Sequence, residues 1–216
     1  MKYRILSGAL ITAMLAGGHA NAQQATDPGY YAQVNLGSGF AGSAKLSASV
    51  SGFGSASGSE DLKPGVFVSG AIGKSLPNGL AIEAELLYLD NHINTDEVDR
   101  ALGTALKASM KTTGLVANLH YAVAPIGPAT FYVGAGVGVG QAKYEVLGLS
   151  DDKTGAVWQL MAGLSYPVSS TMSWDLGYRY IGVPDYDVSA TVGSTALQAK
   201  IESRVHVLSI GGRAKF

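Results

Sequence analysis

The chain has no cysteine and is short of charge: Asp, Glu, Lys and Arg make up 14% of its 216 residues, where a soluble globular domain carries about 25%. The lack of cysteine excludes a disulfide scaffold, a thiolate zinc site and a cysteine nucleophile. Basic and acidic residues nearly cancel, at 15 against 16, and no block of like charge occurs. That balance excludes the basic footprint of a nucleic-acid binder and a disordered charged tail. Long apolar runs are also missing. Beyond the amino-terminal segment no stretch approaches the ~18 consecutive apolar residues of a membrane helix. A mature chain that crosses a bilayer must then do so as a closed β-barrel, because an open sheet would leave unpaired backbone N–H and C=O groups in hydrocarbon.

The first 22 residues read as an export address. Lys2 and Arg4 give a positive start, Ile5 to Ala16 is mostly apolar, and Ala20-Asn21-Ala22 places small residues where a signal peptidase cuts. The apolar run, at about a dozen residues, is too short for an ~30 Å hydrocarbon core. Cleavage after Ala22 is expected, leaving residues 23–216 as the mature domain with 13 basic residues against 16 acidic.

What the chain has in quantity is glycine, 29 residues, and apolar alternation with a period of two. The alternating segments are Tyr30–Gly37, Val66–Lys74, Leu80–Leu89, Thr113–Ala122, Thr130–Gly140, Gly155–Tyr166, Met172–Ile181 and Val205–Phe216. Each is near the ~9–11 residues that a tilted strand needs to cross a bilayer. The apolar face of Thr130–Gly140 carries Phe131, Val133, Ala135, Val137 and Val139, and its other face is glycine at 134, 136, 138 and 140. Opposite faces made of glycine, serine and alanine do not suit a solvated sheet. Aromatic residues gather at segment ends, among them Tyr30, Tyr88, Tyr121, Phe131, Tyr166, Trp174 and Phe216, as in an interfacial girdle. Connections alternate in length: long after odd-numbered segments, and short at Ser75–Gly79, Val123–Ala129 and Pro167–Thr171. The pattern predicts an all-β fold, an eight-stranded antiparallel up-and-down transmembrane β-barrel with long outside loops and short periplasmic turns.

Glu83-Ala84-Glu85-Leu86-Leu87-Tyr88, Phe131-Tyr132-Val133-Gly134-Ala135-Gly136-Val137-Gly138 and Asp175-Leu176-Gly177-Tyr178-Arg179-Tyr180 resemble strands of the eight-stranded outer-membrane β-barrel family. That family includes opacity-type and porin-like surface proteins of Gram-negative bacteria, with a barrel like that of outer membrane protein A. The last eight residues, ending in Phe216, are similar to the terminal strand that the insertion machinery of such barrels reads. Gly212 departs from that pattern, standing where a large apolar residue is more usual. The resemblance implies residence in the outer membrane, with outer-membrane lipid and the insertion machinery as partners. Loops on a rigid barrel carry function, so a monomer whose outside loops meet an extracellular ligand or host surface is expected.

A barrel this narrow has room inside for side chains or one small ligand. The inward set predicted from parity is Glu83, Glu85, Asn118, His120, Gln159, Asp175, Arg179, Arg213 and Lys215, joined by Gln33 and Asn35. Glu83, His120, Asp175 and Arg213 are expected to share a layer near the periplasmic end, with Arg179 and Gln159 nearer mid-membrane. This cluster reads as a charge-paired plug of structural or gating role, since unpaired ions in a narrow interior are costly. A porin-like diffusion path for small solutes is the alternative.

No catalytic set emerges. Ser203 and Glu202 flank His206 without the spacing of a hydrolase triad. Asp151-Asp152 and Asp185-Tyr186-Asp187 lack the pattern of a calcium loop. No enzyme activity, metal or other cofactor is expected. In the long connections, Ser38–Pro64 either loops freely or extends the first hairpin through Ala44, Leu46, Ala48 and Val50. Asn94 to Leu102 is predicted as a short capped helix or as a strand extension. Detergent-refolded protein should show a heat-dependent gel shift and a β-type circular dichroism spectrum; a chain with neither is not a barrel.

Overall fold

Backbone hydrogen bonds between neighbouring segments account for the architecture. The computed structural model describes the backbone of residues 29–50, 54–93, 108–146, 149–184, 186–192 and 195–216; side chains are described over 29–40, 64–91, 109–143, 152–184 and 203–216. Nine strand segments follow in order: β1 (Gly29–Val50), β2 (Gly54–Ser75), β3 (Leu80–Ile93), β4 (Ala108–Ile126), β5 (Ala129–Val146), β6 (Leu149–Pro167), β7 (Met172–Gly182), β8 (Tyr186–Val192) and β9 (Thr195–Lys215). Each pairs antiparallel with the next around the wall as far as β7, β7 pairs with β9, and β9 returns to β1 from Tyr31↔Lys215 to Val50↔Leu197. The sheet is thereby closed. β8 continues the line of β7 along β9, pairing Tyr186 with Ile201 where β7 ends at Gly182↔Arg204. The wall therefore has eight staves.

Parity sorts the side chains. Val34, Leu36, Ile72, Leu115, Val137, Val139 and Leu160 lie outward and more than half exposed, while Gln33, Asn35, Ser69, Glu85, Asn118 and Gln159 turn into the lumen and are buried. Apolar groups on the outside and polar groups within invert the order of a soluble protein and match a wall that meets lipid. Among the described residues no helix is long and apolar enough to cross a membrane.

One end of the barrel is closed by tight connections. Pro77–Gly79 forms a single 3-10 turn in which Asn78 and Gly79 take positive φ (70° and 77°), the region open to glycine and tolerated by asparagine. Between β6 and β7 the Ser169 hydroxyl accepts the Met172 N–H at 3.1 Å. At the other end the hairpins run on. β1 and β2 stay paired to Val50↔Gly54, so much of the connection Ser38–Pro64 is sheet rather than free loop. Its serine, glycine and alanine hide this because they give no apolar contrast, yet main-chain pairing needs none. The helix weighed for Asn94 to Leu102 lies outside the described residues.

Glycine takes its place in the wall where something crosses it. A Cβ at Gly73 would lie 2.3 Å from the Tyr31 ring, one at Gly163 2.6 Å from the Tyr132 ring and one at Gly182 2.2 Å from the Trp158 indole. All three are cross-strand pairs, the arrangement in which an aromatic ring lies flat over a glycine. Trp174 covers Gly212 in the same way, its ring 3.6 Å from where a Cβ would stand, so the lipid face there is filled by a neighbour. At Gly138 the obstacle is backbone: a Cβ would meet the Leu115 carbonyl oxygen at 2.0 Å. Gly138→Val should lower the unfolding free energy of the refolded barrel by about 1–3 kcal/mol, read from the drop in urea midpoint of the heat-resistant fraction on gels.

Candidate functional site

The lumen holds two layers. The first is polar and is centred on Glu85, whose side chain is fully buried. The Arg179 Nη1 donates to both Glu85 oxygens, at 2.7 and 2.9 Å, and to Gln159 Oε1 at 3.1 Å. Gln159 Nε2 donates to Glu85 at 2.7 Å and to Asn118 Oδ1 at 2.9 Å. Asn118 Nδ2 in turn donates to Glu85 at 2.8 Å and to Glu83 at 2.9 Å. Both protons of each amide are thus used, and the two amides link one guanidinium to two carboxylates across β3, β4, β6 and β7.

Closer to the tight turns, the Tyr31 hydroxyl donates to Glu83 at 3.2 Å and His120 Nε2 stands 3.5 Å from the same carboxylate. Arg213 Nε donates to Gln33 at 2.9 Å, lies 3.5 Å from Asp175, and its guanidinium rests 4.4 Å from the Tyr31 ring centroid. Gln33 passes the chain on to Asn35, and Asn35 to Ser69. The Cβ of a larger residue at Gly136 would stand 2.0 Å from Asn118 Oδ1, so glycine there is what admits the amide. Below this layer a cavity of about 30 Å³, lined by His120, Tyr132, Ser165 and Arg213 among others, has room for a water molecule.

The second layer is apolar and lies on the side of the long hairpins. Phe67, Leu87, Leu89, Met110, Val116, Ala142, Val157, Ile181, Val183, Val205 and Val207 form one buried cluster. These residues stand on the long-hairpin side of the central network: Leu87 and Leu89 beyond Glu85, Ile181 beyond Arg179, Val157 beyond Gln159, with the buried polar side chains of Asn91, Thr112 and Ser203 among and beyond them. The layers join where the Arg179 guanidinium lies 5.1 Å from the Phe67 ring centroid.

The structure therefore brings Glu83, Glu85, Asn118, Gln159 and Arg179 into one network, with His120 beside Glu83 and Asp175 beside Arg213. Lys215 shares the inward parity of Arg213 at the periplasmic end of β9 and is half-buried. Phe216 stacks on Tyr30 at 6.4 Å, its N–H bonded to the Tyr30 carbonyl, so the chain terminus is sewn to the first strand. Tyr31, Tyr132 and the whole apolar layer were missed by parity applied to polar residues alone. A signal existed in Leu86-Leu87-Tyr88-Leu89, where both faces of a strand are apolar, so both are kept from water, one by lipid and one by the lumen. Ser203 is buried in the lumen, whereas His206 bonds the Tyr178 hydroxyl on the outer face at 2.7 Å, and the wall separates them.

A closed eight-stave wall with lipid-type residues outside and a filled polar-apolar interior has counterparts among known proteins. The description "outer membrane protein beta-barrel domain" fits residues 10–199. The chain belongs to that family. It is a Gram-negative outer-membrane barrel, with the short turns on the periplasmic side. Neisserial surface protein A is similar in structure, with a TM-score of 0.52, 21% identity and coverage of 87% of this chain and 97% of that one. The outer membrane protein OprG of Pseudomonas aeruginosa gives a TM-score of 0.52, 15% identity and coverage of 89% and 98%. At these identities the likeness is one of fold. Uncharacterized proteins of Brucella abortus and Brucella suis are 37% identical over 91 residues, 36% of this chain. The chain matches 31% of their length, so it spans about a third of the curated relatives.

Removing one member of the central ion pair leaves a buried charge. Glu85→Ala should cost about 3–5 kcal/mol of unfolding free energy. Glu85→Leu combined with Arg179→Met, which removes both charges, should recover most of that loss in the same urea titration.

Proposed function

We propose that this barrel is a surface-exposed recognition or adhesin-like protein, delivered by a cleaved signal peptide, whose lumen is a structural plug and whose activity lies in the sheets standing beyond the membrane. The single observation carrying this reading is the double filling of the lumen. A charged-amide layer blocks apolar solutes and an apolar layer blocks ions and water. The two lie in series, so a solute suited to one is stopped by the other. Neither a catalytic side-chain set nor a cofactor has a place in this reading.

The outer surface, by contrast, is extensive. β1 and β2 continue as a hairpin to Val50↔Gly54 and β9 carries β8 alongside it, giving a four-strand sheet β2–β1–β9–β8 beyond the staves. Loops and extensions on a rigid barrel are where recognition residues are placed, and a partner on another cell or in the extracellular matrix meets this sheet first.

Wild-type protein in planar bilayers should give no steady conductance. Cells displaying it should bind a panel of matrix proteins and glycans more than cells displaying a variant with residues 43–61 replaced by a short turn, the variant keeping its heat-dependent gel shift. Equal binding by the trimmed barrel, or steady conductance by the wild type, overturns the proposal.

A further inference from the structure

The outward face of the wall carries a feature that plugging and recognition do not use. In its periplasmic half, Lys74 is the single charged side chain on that face among the described residues. It sits near the end of β2, just before the Pro77–Gly79 turn, with Nζ 4.8 Å from the centroid of the Tyr30 ring. Tyr30 is itself stacked on Phe216. The ammonium is therefore held at the level of the aromatic girdle.

A groove of about 510 Å³ opens in the wall beside it. Its floor is Ala84 and Ala117, paired directly across β3 and β4, and its sides are Ile72, Ile82 and Leu119. Here two methyl groups leave a trough with a cation at its periplasmic end.

We propose that this trough is a binding site for an anionic glycerophospholipid of the periplasmic leaflet. One acyl chain lies over Ala84 and Ala117, and the phosphate meets Lys74. The lipid is defined by three constraints. A trough lined by methyl and branched side chains gains dispersion contact along a chain that fits it. A lysine on a lipid-facing wall lays its stem along apolar surface and puts its head at the interface, where phosphates lie. A zwitterionic headgroup brings its own ammonium close to its phosphate and gains less from a second one, whereas a net negative headgroup gains the full attraction. The site is independent of the outer sheets, so it stands or falls separately from their role.

Full-length refolded protein in detergent, titrated with phosphatidylglycerol, phosphatidylethanolamine and phosphatidylcholine of identical chains, gives the test, with bound lipid counted by native mass spectrometry. Phosphatidylglycerol should be retained about fivefold over phosphatidylcholine. Lys74→Gln should reduce it to the phosphatidylcholine level while leaving phosphatidylcholine unchanged. Ala117→Leu should lower retention of all three lipids, with the heat-dependent gel shift confirming that each variant is folded. Equal retention of the three lipids by the wild type overturns the proposal, as does a phosphatidylglycerol preference that survives Lys74→Gln. So does a chain dimer that Ala117→Leu dissolves, since the trough would then be filled by a second copy of the protein.

Discussion

Closing eight staves into a wall leaves an interior one or two side chains across, and that width governs what every strand can carry. Inward positions must fill the space, and any charge placed there must find its partner there. Glu85 illustrates the constraint. It has no access to solvent, and it accepts from a guanidinium and from two side-chain amides on three other strands. Glu85 faces Arg179, Asp175 faces Arg213 and Glu83 lies beside the His120 ring, so these carboxylates find their partners within the lumen rather than in water. Asn118 and Gln159 carry no charge but set the geometry, because an amide offers two donors and an acceptor in one plane.

The wall obeys the same limit from the other direction. Where an inward side chain is large, the strand beside it is reduced to glycine: Gly136 for Asn118, Gly73 for Tyr31, Gly163 for Tyr132. High glycine content, low charge and apolar alternation are thus consequences of one geometry. Glycine yields volume to the lumen, the charges are few because they must be paired, and the apolar residues face lipid.

The staves, their directions and the ends of most membrane-crossing segments were legible in the sequence, since alternation is strong wherever lipid meets one face and small or polar groups the other. The positions of the polar network were legible by the same contrast: Glu83, Glu85, Asn118, His120, Gln159, Asp175, Arg179 and Arg213 each stand on the face opposite the apolar one. The apolar layer was legible only as a loss of contrast: Leu87 and Leu89, alternating with Leu86 and Tyr88, look like more of the lipid face. Tyr31 was masked in the same way by Tyr30 beside it, one ring in the lumen and the other at the girdle. The outward hairpin beyond Gly39 was only partly legible, since Ser, Gly and Ala pair through the backbone without a periodic signature. Contacts such as Arg179 on Phe67 depend on tilt and register between distant staves, which no local spacing encodes.

The order of the two layers has a physical consequence that neither layer has alone. A purely polar lumen of this width would be open to water at its outer mouth, and each water admitted would compete for the hydrogen bonds of Glu85 and Arg179. The apolar cluster from Phe67 to Val207 covers that side and lowers the local dielectric around the ion pair, which strengthens the pair once formed and raises the cost of leaving either member alone. The guanidinium bridges the two regimes, bonding the carboxylate through its edge while its cation lies against the Phe67 ring. Among the described residues the periplasmic side has no such lid and needs less of one: Arg213, His120 and the 30 Å³ cavity grade the network into water. A lumen filled this way is asymmetric, packed largely by apolar side chains toward the outside and by hydrogen-bonded charge toward the periplasm. The staves are therefore held rigid from within, while the sheets beyond the membrane are free to vary in sequence without disturbing what holds the barrel together.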